Sequence, residues 1–353
     1  MRIIGISPIR DEEDIIESFV RHNLAYLDKL YIIDNLSKDK TLDILAALKQ
    51  EGLAIEVWES KSCSNQQSRA MTTALRKLAQ HDPDAEFAFL LDADEFLGCV
   101  DRQALVADLG KIGADGYGVM PWRTYIPIEH DLENLNPAMP VTSRMTHRRS
   151  HEGHQRYKAV VPKALFGKAR VRQGSHSLLS MDGAALPKSV LATPLAHFPV
   201  RSANQFLAKI ILSSHSSEMK KERRPDESIH WVEMAASIRS RNYRVTADQV
   251  REYAFSYAIK SVDSAPVNLL HDPLPMHSST IVKYGAAEER SVLHRFDQYI
   301  TRLRENNHIE PKEMTEFETD EFHLMAEVRA SFKNCKRWVK RRLGLNRKNN
   351  ATR

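Results

Sequence analysis

Cysteine is scarce in this chain of 353 residues, and the three present (Cys63, Cys99 and Cys335) lie too far apart for a disulfide framework or for zinc-ligand spacing. No apolar run approaches the roughly 18 residues needed to cross a bilayer. The N-terminal stretch MRIIGISPIRDEED has no basic leader followed by an apolar core and cleavage site, so the expected location is the cytoplasm. With Gly 13 and Pro 15, the chain is neither fibrous nor of low complexity, and no internal repeat is visible. G-x-G-x-x-G, G-x-x-x-x-G-K-[ST] and G-x-S-x-G are all missing, which removes the usual dinucleotide, P-loop and nucleophile-elbow signatures. What is present is 42% apolar and 27% charged residues, enough to bury a substantial core.

The formal charge of +5 is unevenly spread. Ten of the 51 Lys and Arg follow Glu327 with no acid among them, so the preceding residues carry 41 basic against 46 acidic side chains. The basic character belongs to the tail. A nucleic-acid enzyme would spread its cations along a groove, so no nucleic-acid partner is expected.

The first hundred residues alternate strand and helix patterns. Arg2 to Ser7, Leu30 to Asp34, Leu53 to Trp58 and Glu86 to Leu91 read as short buried strands. Between them, Asp11 to Leu30, Thr41 to Gln50 and Gln66 to Gln80 have helical periodicity. Such alternation predicts a mostly parallel sheet covered by helices, with ligands at the carboxyl ends of the strands. Beyond Asp115 the pattern loosens, with strands expected at Gly116 to Trp122, Lys158 to Leu165 and Arg170 to Leu179. Helices are expected at Ala203 to Glu222, His230 to Arg241, Ala247 to Lys260, Glu288 to Glu305 and Glu321 to Leu343. The expected division is a nucleotide-binding half over residues 1–115, an acceptor-side half of the same catalytic domain over 116–225, and a helical C-terminal region over 226–353.

Chemistry concentrates where predicted strands end. In Asp92-Ala93-Asp94-Glu95-Phe96, carboxylates at i and i+2 point the same way from an extended chain, which suits a hard divalent cation and equally a solvated acidic turn. Asp34, at the end of the second strand, can accept from a ribose or base. In the following Asn35-Leu36-Ser37-Lys38-Asp39, the polar side chains either bind ligand or start the next helix through an Asx-type turn. Arg10-Asp11-Glu12 follows the first strand, where an acidic helix start is the plainer explanation.

Taken together, Asp11-Glu12, Asp34-Asn35-Leu36-Ser37-Lys38-Asp39 and Asp92-Ala93-Asp94-Glu95-Phe96 resemble, in order and spacing, the family 2-like glycosyltransferases of GT-A fold. In that branch the strands end in an Asn-Glu or Asp-Glu pair, in D-N-x-S-x-D and in D-A-D-E-F. Later segments, Pro121-Trp122-Arg123, Lys158 to Pro162 and His197 to Ser202 followed by Phe206 and Lys209, are similar to further family landmarks. The resemblance implies an α/β, GT-A-like fold with a mostly parallel Rossmann-type sheet, and transfer of a sugar from a nucleoside diphosphate, usually with inversion, to a glycan or lipid-linked acceptor. It further implies donor contacts at Asp11, Glu12, Asp34, Asn35, Ser37, Asp39 and Asp92. Mn²⁺ or Mg²⁺ is expected on Asp92 and Asp94, with His176 or His197 as a third ligand, to neutralise the departing diphosphate. Trp122, Arg123, Lys158, Arg201 and Lys209 are expected around phosphate or acceptor. The acceptor-activating base stays open among Asp182, Glu152, His176 and Glu95.

The end of the chain carries a further expectation. Phe322, Met325, Val328, Phe332, Cys335, Trp338 and Leu343 share a helical face ringed by Lys and Arg, which suits an anionic membrane surface as well as a helix docked on the core. The rival functions are another phosphate enzyme, a phosphatase or nucleotidyltransferase, and a non-catalytic membrane- or RNA-associated protein on the same fold.

Overall fold

A computed structural model describes residues 1–60, 67–133, 136, 138–218, 229–257, 268–275, 282–285, 296 and 298–299. The chain opens with the expected alternation. In order come β1 (Ile3–Ile9), α1 (Ile16–Asn23), β2 (Lys29–Asp34), α2 (Thr41–Gln50), β3 (Ile55–Glu59), α3 (Gln67–His81) and β4 (Phe87–Leu90). Next are β5 (Glu95–Leu97), α4 (Arg102–Leu109), β6 (Tyr117–Thr124), the short α5 (Glu129–Glu133) and α6 (Val141–Arg144), β7 (His147–Arg149) and β8 (Tyr157–Pro162). The remainder comprises β9 (Ala169–Val171), β10 (Leu178–Ser180), β11 (Lys188–Val190), β12 (Leu195–His197), α7 (Ala203–Glu218), α8 (Ile229–Ser240), α9 (Ala247–Ser256) and β13 (Leu269–His271).

One large sheet runs β3-β2-β1-β4-β8-β6-β12-β5, and β11 joins β6 beside β12. Strands β3, β2, β1 and β4 are parallel, β8 is antiparallel to both β4 and β6, and β5 is antiparallel to β12. The result is a mixed α/β fold with a mostly parallel sheet flanked by helices. Residues 1–115 and 116–225 therefore share one sheet, joined where β4 meets β8. Parallel strands buried on both faces need continuous apolar sequence, which Ile3, Ile4, Ile6, Leu30, Ile32, Ile33, Phe89 and Leu90 supply. At Gly5 an added Cβ would lie 2.6 Å from the Leu30 side chain, so only glycine lets β1 pack this closely on its neighbour.

A second apolar cluster gathers Ile126, Phe206, Ile210, Ile211, Ala235, Ile238, Val250 and Ala254 between α7, α8 and α9. It anchors α7 over the sheet edge. Two expectations need correction. The first helix spans Ile16–Asn23 rather than Asp11 to Leu30: Asp11 is in the left-handed conformation (φ 55°), which a right-handed helix does not admit, and β2 already begins at Lys29. Arg170 to Leu179 is not one strand but the β9–β10 hairpin, broken by left-handed Gly174 (φ 74°) and Ser175 (φ 55°). An added Cβ at Gly174 would sit 2.5 Å from the His176 ring, so glycine is what allows that ring to fold back. Of the two last expected helices, Glu321 to Leu343 lies outside the described residues, and Glu288 to Glu305 is described only at Phe296, Gln298 and Tyr299. Among the described residues no helix is long and apolar enough to cross a membrane.

Candidate functional site

The carboxyl ends of β1, β2 and β4 lie side by side, since these strands are parallel neighbours, and they bring the three acidic segments to one edge. The first two segments interlock. Asp11 N–H donates to Ser37 Oγ at 3.0 Å and Lys38 N–H returns a bond to Asp11 Oδ1 at 2.8 Å. Asp39 accepts from Glu13 N–H and Thr41 N–H, while the Asp34 carboxylate accepts from Ser37 N–H. Asp11 (φ 55°) and Leu36 (φ 59°) occupy the left-handed region at the centre of this lock. Asp tolerates that conformation better than most residues, which accounts for Asp11 here. Ser37 and Asp39, expected to touch donor, are spent in holding the two loops together.

The Asp92-Ala93-Asp94 segment links β4 to β5, which in strand order follows β8, β6 and β12. Its register is pinned by α1: Asn23 Oδ1 accepts from Leu97 N–H, Asn23 Nδ2 donates to Glu95 O, and His22 Nε2 lies 2.8 Å from Leu97 O. Both acidic side chains meet cations. Lys158 Nζ is 2.6 Å from Asp92 Oδ2, and Gln67 donates to Asp92 Oδ1 at 2.7 Å. Lys209 Nζ is 2.8 Å from Asp94 Oδ2, and Arg201 Nη1 lies 3.8 Å from the same oxygen. Arg201 also clamps Glu12 at 2.8 Å and Asp14 at 2.7 Å, tying the first loop to the β4–β5 segment.

Burial sets the protonation states. Burial by itself would raise the Asp94 pKa, but Lys209, His197 and Arg201 outweigh it and hold the carboxyl well below its usual range. Because burial pushes the His197 imidazole down to about 3 and leaves it neutral at physiological pH, the two fixed cations carry that effect. Burial, only partly offset by Lys158, pushes Glu95 well above the usual carboxylate range. Glu12 is pushed up to about 7 by burial, against the pull of Arg201 and Lys209. Lys209 is held above its ordinary value, burial being outweighed by Asp94.

The expected third metal ligands take part in an aromatic stack. His197 lies against Trp122 with ring centroids 4.1 Å apart, and His176 meets the other ring contact of Trp122 edge-on at 5.4 Å. His176 Nδ1 donates to Tyr157 O at 2.8 Å, and burial pushes its pKa down to about 4. His197 Nε2 stands 3.8 Å from Asp94 Oδ1. Among the described residues no group of three or more His, Cys, Asp or Glu side chains converges to hold a metal ion. With an ammonium on each of Asp92 and Asp94, the donor set does not fit Mn²⁺ or Mg²⁺.

The expected bases also settle into other work. Glu95 is fully enclosed, its Oε2 accepting from Asp92 N–H, so it is out of reach of an acceptor. Glu152 accepts from Thr124 N–H at 2.6 Å, Thr124 Oγ1 at 2.9 Å and Arg149 Nη1 at 2.9 Å, which makes it a structural anchor of β6. Asp182 is exposed in the turn after β10, bonded to Ser180 Oγ. Arg123 is exposed beside Asp272. Gln67 and Asp14 carry no signal in the sequence, since they sit on helix-start segments with no distinguishing pattern. Buried polar atoms near these residues, among them Asn35 Oδ1, Glu95 Oε1, Trp122 Nε1 and His197 Nδ1, have no hydrogen-bond partner among the described residues. Buried polar atoms are nearly always paired, so a ligand or water is expected to satisfy them.

No protein-family model matches the chain, and no curated protein matches it. Among solved structures, TarS residues 1–349 from S. aureus in complex with UDP is similar at 14% identity and a TM-score of 0.32, covering 74% of this chain and 76% of that one. A 4-diphosphocytidyl-2C-methyl-D-erythritol synthase aligns at 13% identity and 0.27, over 47% and 77%. A putative glucose-1-phosphate thymidylyltransferase from Bacillus anthracis in complex with a sucrose aligns at 8% and 0.27, over 36% and 61%. Similarity this remote carries no argument about function, which rests on the site itself.

Proposed function

We propose that the chain is a glycosyltransferase that takes a sugar from a nucleoside-diphosphate donor and passes it to a glycan or lipid-linked hydroxyl. One observation carries the reading: three loops at the carboxyl ends of parallel strands converge on an acidic pair whose charge is met by Lys209, Lys158 and Arg201. The resemblance of Asp34-Asn35-Leu36-Ser37-Lys38-Asp39 and Asp92-Ala93-Asp94-Glu95-Phe96 to the family 2-like glycosyltransferases supports it. In this reading Asp34 and Asn35 meet the nucleoside, the β4–β5 segment faces the diphosphate, and Trp122 with Arg123 lies on the acceptor side. Inversion at the anomeric carbon comes with the resemblance: the acceptor oxygen attacks opposite the departing diphosphate. Asn35 Oδ1, without a hydrogen-bond partner among the described residues, supports the nucleoside end.

A thermal-shift panel of common nucleoside diphosphates and their sugars tests this. Stabilisation by one base, and its loss in Asp34→Ala, are expected. Stabilisation by nucleoside triphosphates with release of pyrophosphate would instead favour a nucleotidyltransferase, and no response to any nucleotide would remove the enzyme reading.

A further inference from the structure

We infer that Lys209 takes the place of a divalent cation at this site, meeting the diphosphate directly while Lys158 and Arg201 neutralise the acidic pair behind it. The inference rests on the proposed nucleoside-diphosphate donor. Its basis is the distribution of charge and exposure around Asp92 and Asp94.

Each carboxylate already has an ammonium at bonding distance, 2.6 Å for Lys158 on Asp92 and 2.8 Å for Lys209 on Asp94. A divalent ion bound to those oxygens would have to sit beside two like charges in a poorly hydrated setting, or displace them. Most of the local negative charge is already offset, since Lys158, Lys209 and Arg201 stand against Asp92, Asp94, Glu12 and Asp14. Arg201 is shared by Glu12 and Asp14 and also faces Asp94, and Lys158 lies 3.4 Å from Glu95 Oε2 as well as on Asp92. Nor is a third ligand brought to the pair: both histidines lie against Trp122, and among the described residues no group of three His, Cys, Asp or Glu side chains converges.

The three cations are not equivalent. The Lys158 side chain is 0% exposed and that of Arg201 is 3% exposed, so neither reaches an incoming ligand; they are positioning residues. The Lys209 side chain is 27% exposed and that of Asp92 is 32% exposed, so of the three cations Lys209 is the one open to a ligand. An ammonium has three donors, and among the described residues Lys209 spends one on Asp94 Oδ2, so two can turn to phosphate oxygens. Its stem is fixed because Phe206 and Ile210, its neighbours on α7, are buried in the helical cluster. During transfer, the bond from the anomeric carbon to the diphosphate oxygen breaks and its electron pair stays on that oxygen, where the Lys209 ammonium donates. The acceptor oxygen forms the new bond to the anomeric carbon and gives its proton to water or a nearby carboxylate. A preorganised donor aimed at developing charge is the usual source of such stabilisation.

The test is calorimetric titration of the common nucleoside diphosphates into the full chain, once in EDTA and once in MnCl₂. Equal affinity in both, within about threefold, is expected on this account, since the charge a metal would bring is already present. Binding that requires Mn²⁺ would overturn the inference while leaving the proposed function standing; binding of none in either buffer would remove both. Lys209→Met, with its fold checked by circular dichroism, should lose about 10²-fold to 10³-fold in turnover in EDTA, and Lys209→Arg should recover part of it. A readout independent of turnover is Mn²⁺ titrated alone, of which the wild type should take up none. Saturable Mn²⁺ binding by the wild type would contradict the inference, and the EDTA comparison decides the matter even if the variant fails to fold.

Discussion

The strands β1 to β4 with their loops and the later elements β8, β12 and α7 contribute opposite charges to the same edge. The earlier region supplies Glu12, Asp14, Asp34, Asp92 and Asp94; the later one supplies Lys158, Arg201 and Lys209. Neither region can bury its charges alone. A carboxylate without its partner cation would have to be hydrated or protonated, so the site exists only once β8 and the start of α7 are seated against β4 and the first loop. The regions also differ in how they are held: the first by short backbone-to-side-chain bonds within adjacent loops, the second by apolar packing of α7 against α8 and α9.

Arg201 is the strongest point at which to break that pairing. Arg201→Met leaves Glu12, Asp14 and Asp94 facing one another without their common cation, and a loss of about 3 to 5 kcal/mol in urea unfolding is expected. An unchanged midpoint would mean that the two regions do not depend on each other.

The later region can be sharpened through pH. The folded protein keeps His176 neutral down to about pH 4 by burial, whereas the unfolded chain takes up that proton near 6.5. The fold therefore gains from a neutral His176 above 6.5 and loses that contribution as pH falls through this window. Between pH 7 and pH 5 the wild type should lose about 2 kcal/mol more than His176→Gln. Equal losses would place the imidazole in water. The Glu12 carboxyl, raised to about 7, works in the opposite sense, favouring the fold below 4.5 and ceasing to do so as pH rises through 7, which is why the comparison uses the difference between two proteins.

The smallest effect belongs to the interlock of the first two loops. Ser37→Ala removes the acceptor of Asp11 N–H and should cost about 1 kcal/mol, with weaker nucleotide stabilisation because Asp34 and Asn35 lose their support. Loss of stability with unchanged nucleotide response would confine the lock to a structural role.

The same comparison explains how far the sequence could be read. The acidic region was legible because its signals are local: a buried apolar strand ends, a turn of Asp, Asn and Ser follows, and a helix begins. The parallel β1–β4 arrangement and the convergence of Asp34, Asp92 and Asp94 follow from that pattern. The cations were visible as residues but not as partners. Lys158 lies 66 residues from Asp92 and Lys209 lies 115 residues from Asp94, separations over which no periodicity pairs one side chain with another. For the same reason the sequence points to a metal where ammonium groups sit, and leaves Glu95 and Glu152 among the candidate bases although burial and Arg149 occupy them. Lys209 in particular reads as the charged face of a helix until α7 is placed against the sheet edge.

The most direct measurement is a crystal structure of the chain with a nucleoside diphosphate bound in the presence of EDTA. The account predicts the base near Asp34 and Asn35 and a phosphate oxygen within hydrogen-bond distance of Lys209 Nζ. A nucleotide bound elsewhere, with Lys209 still turned only to Asp94, would contradict it.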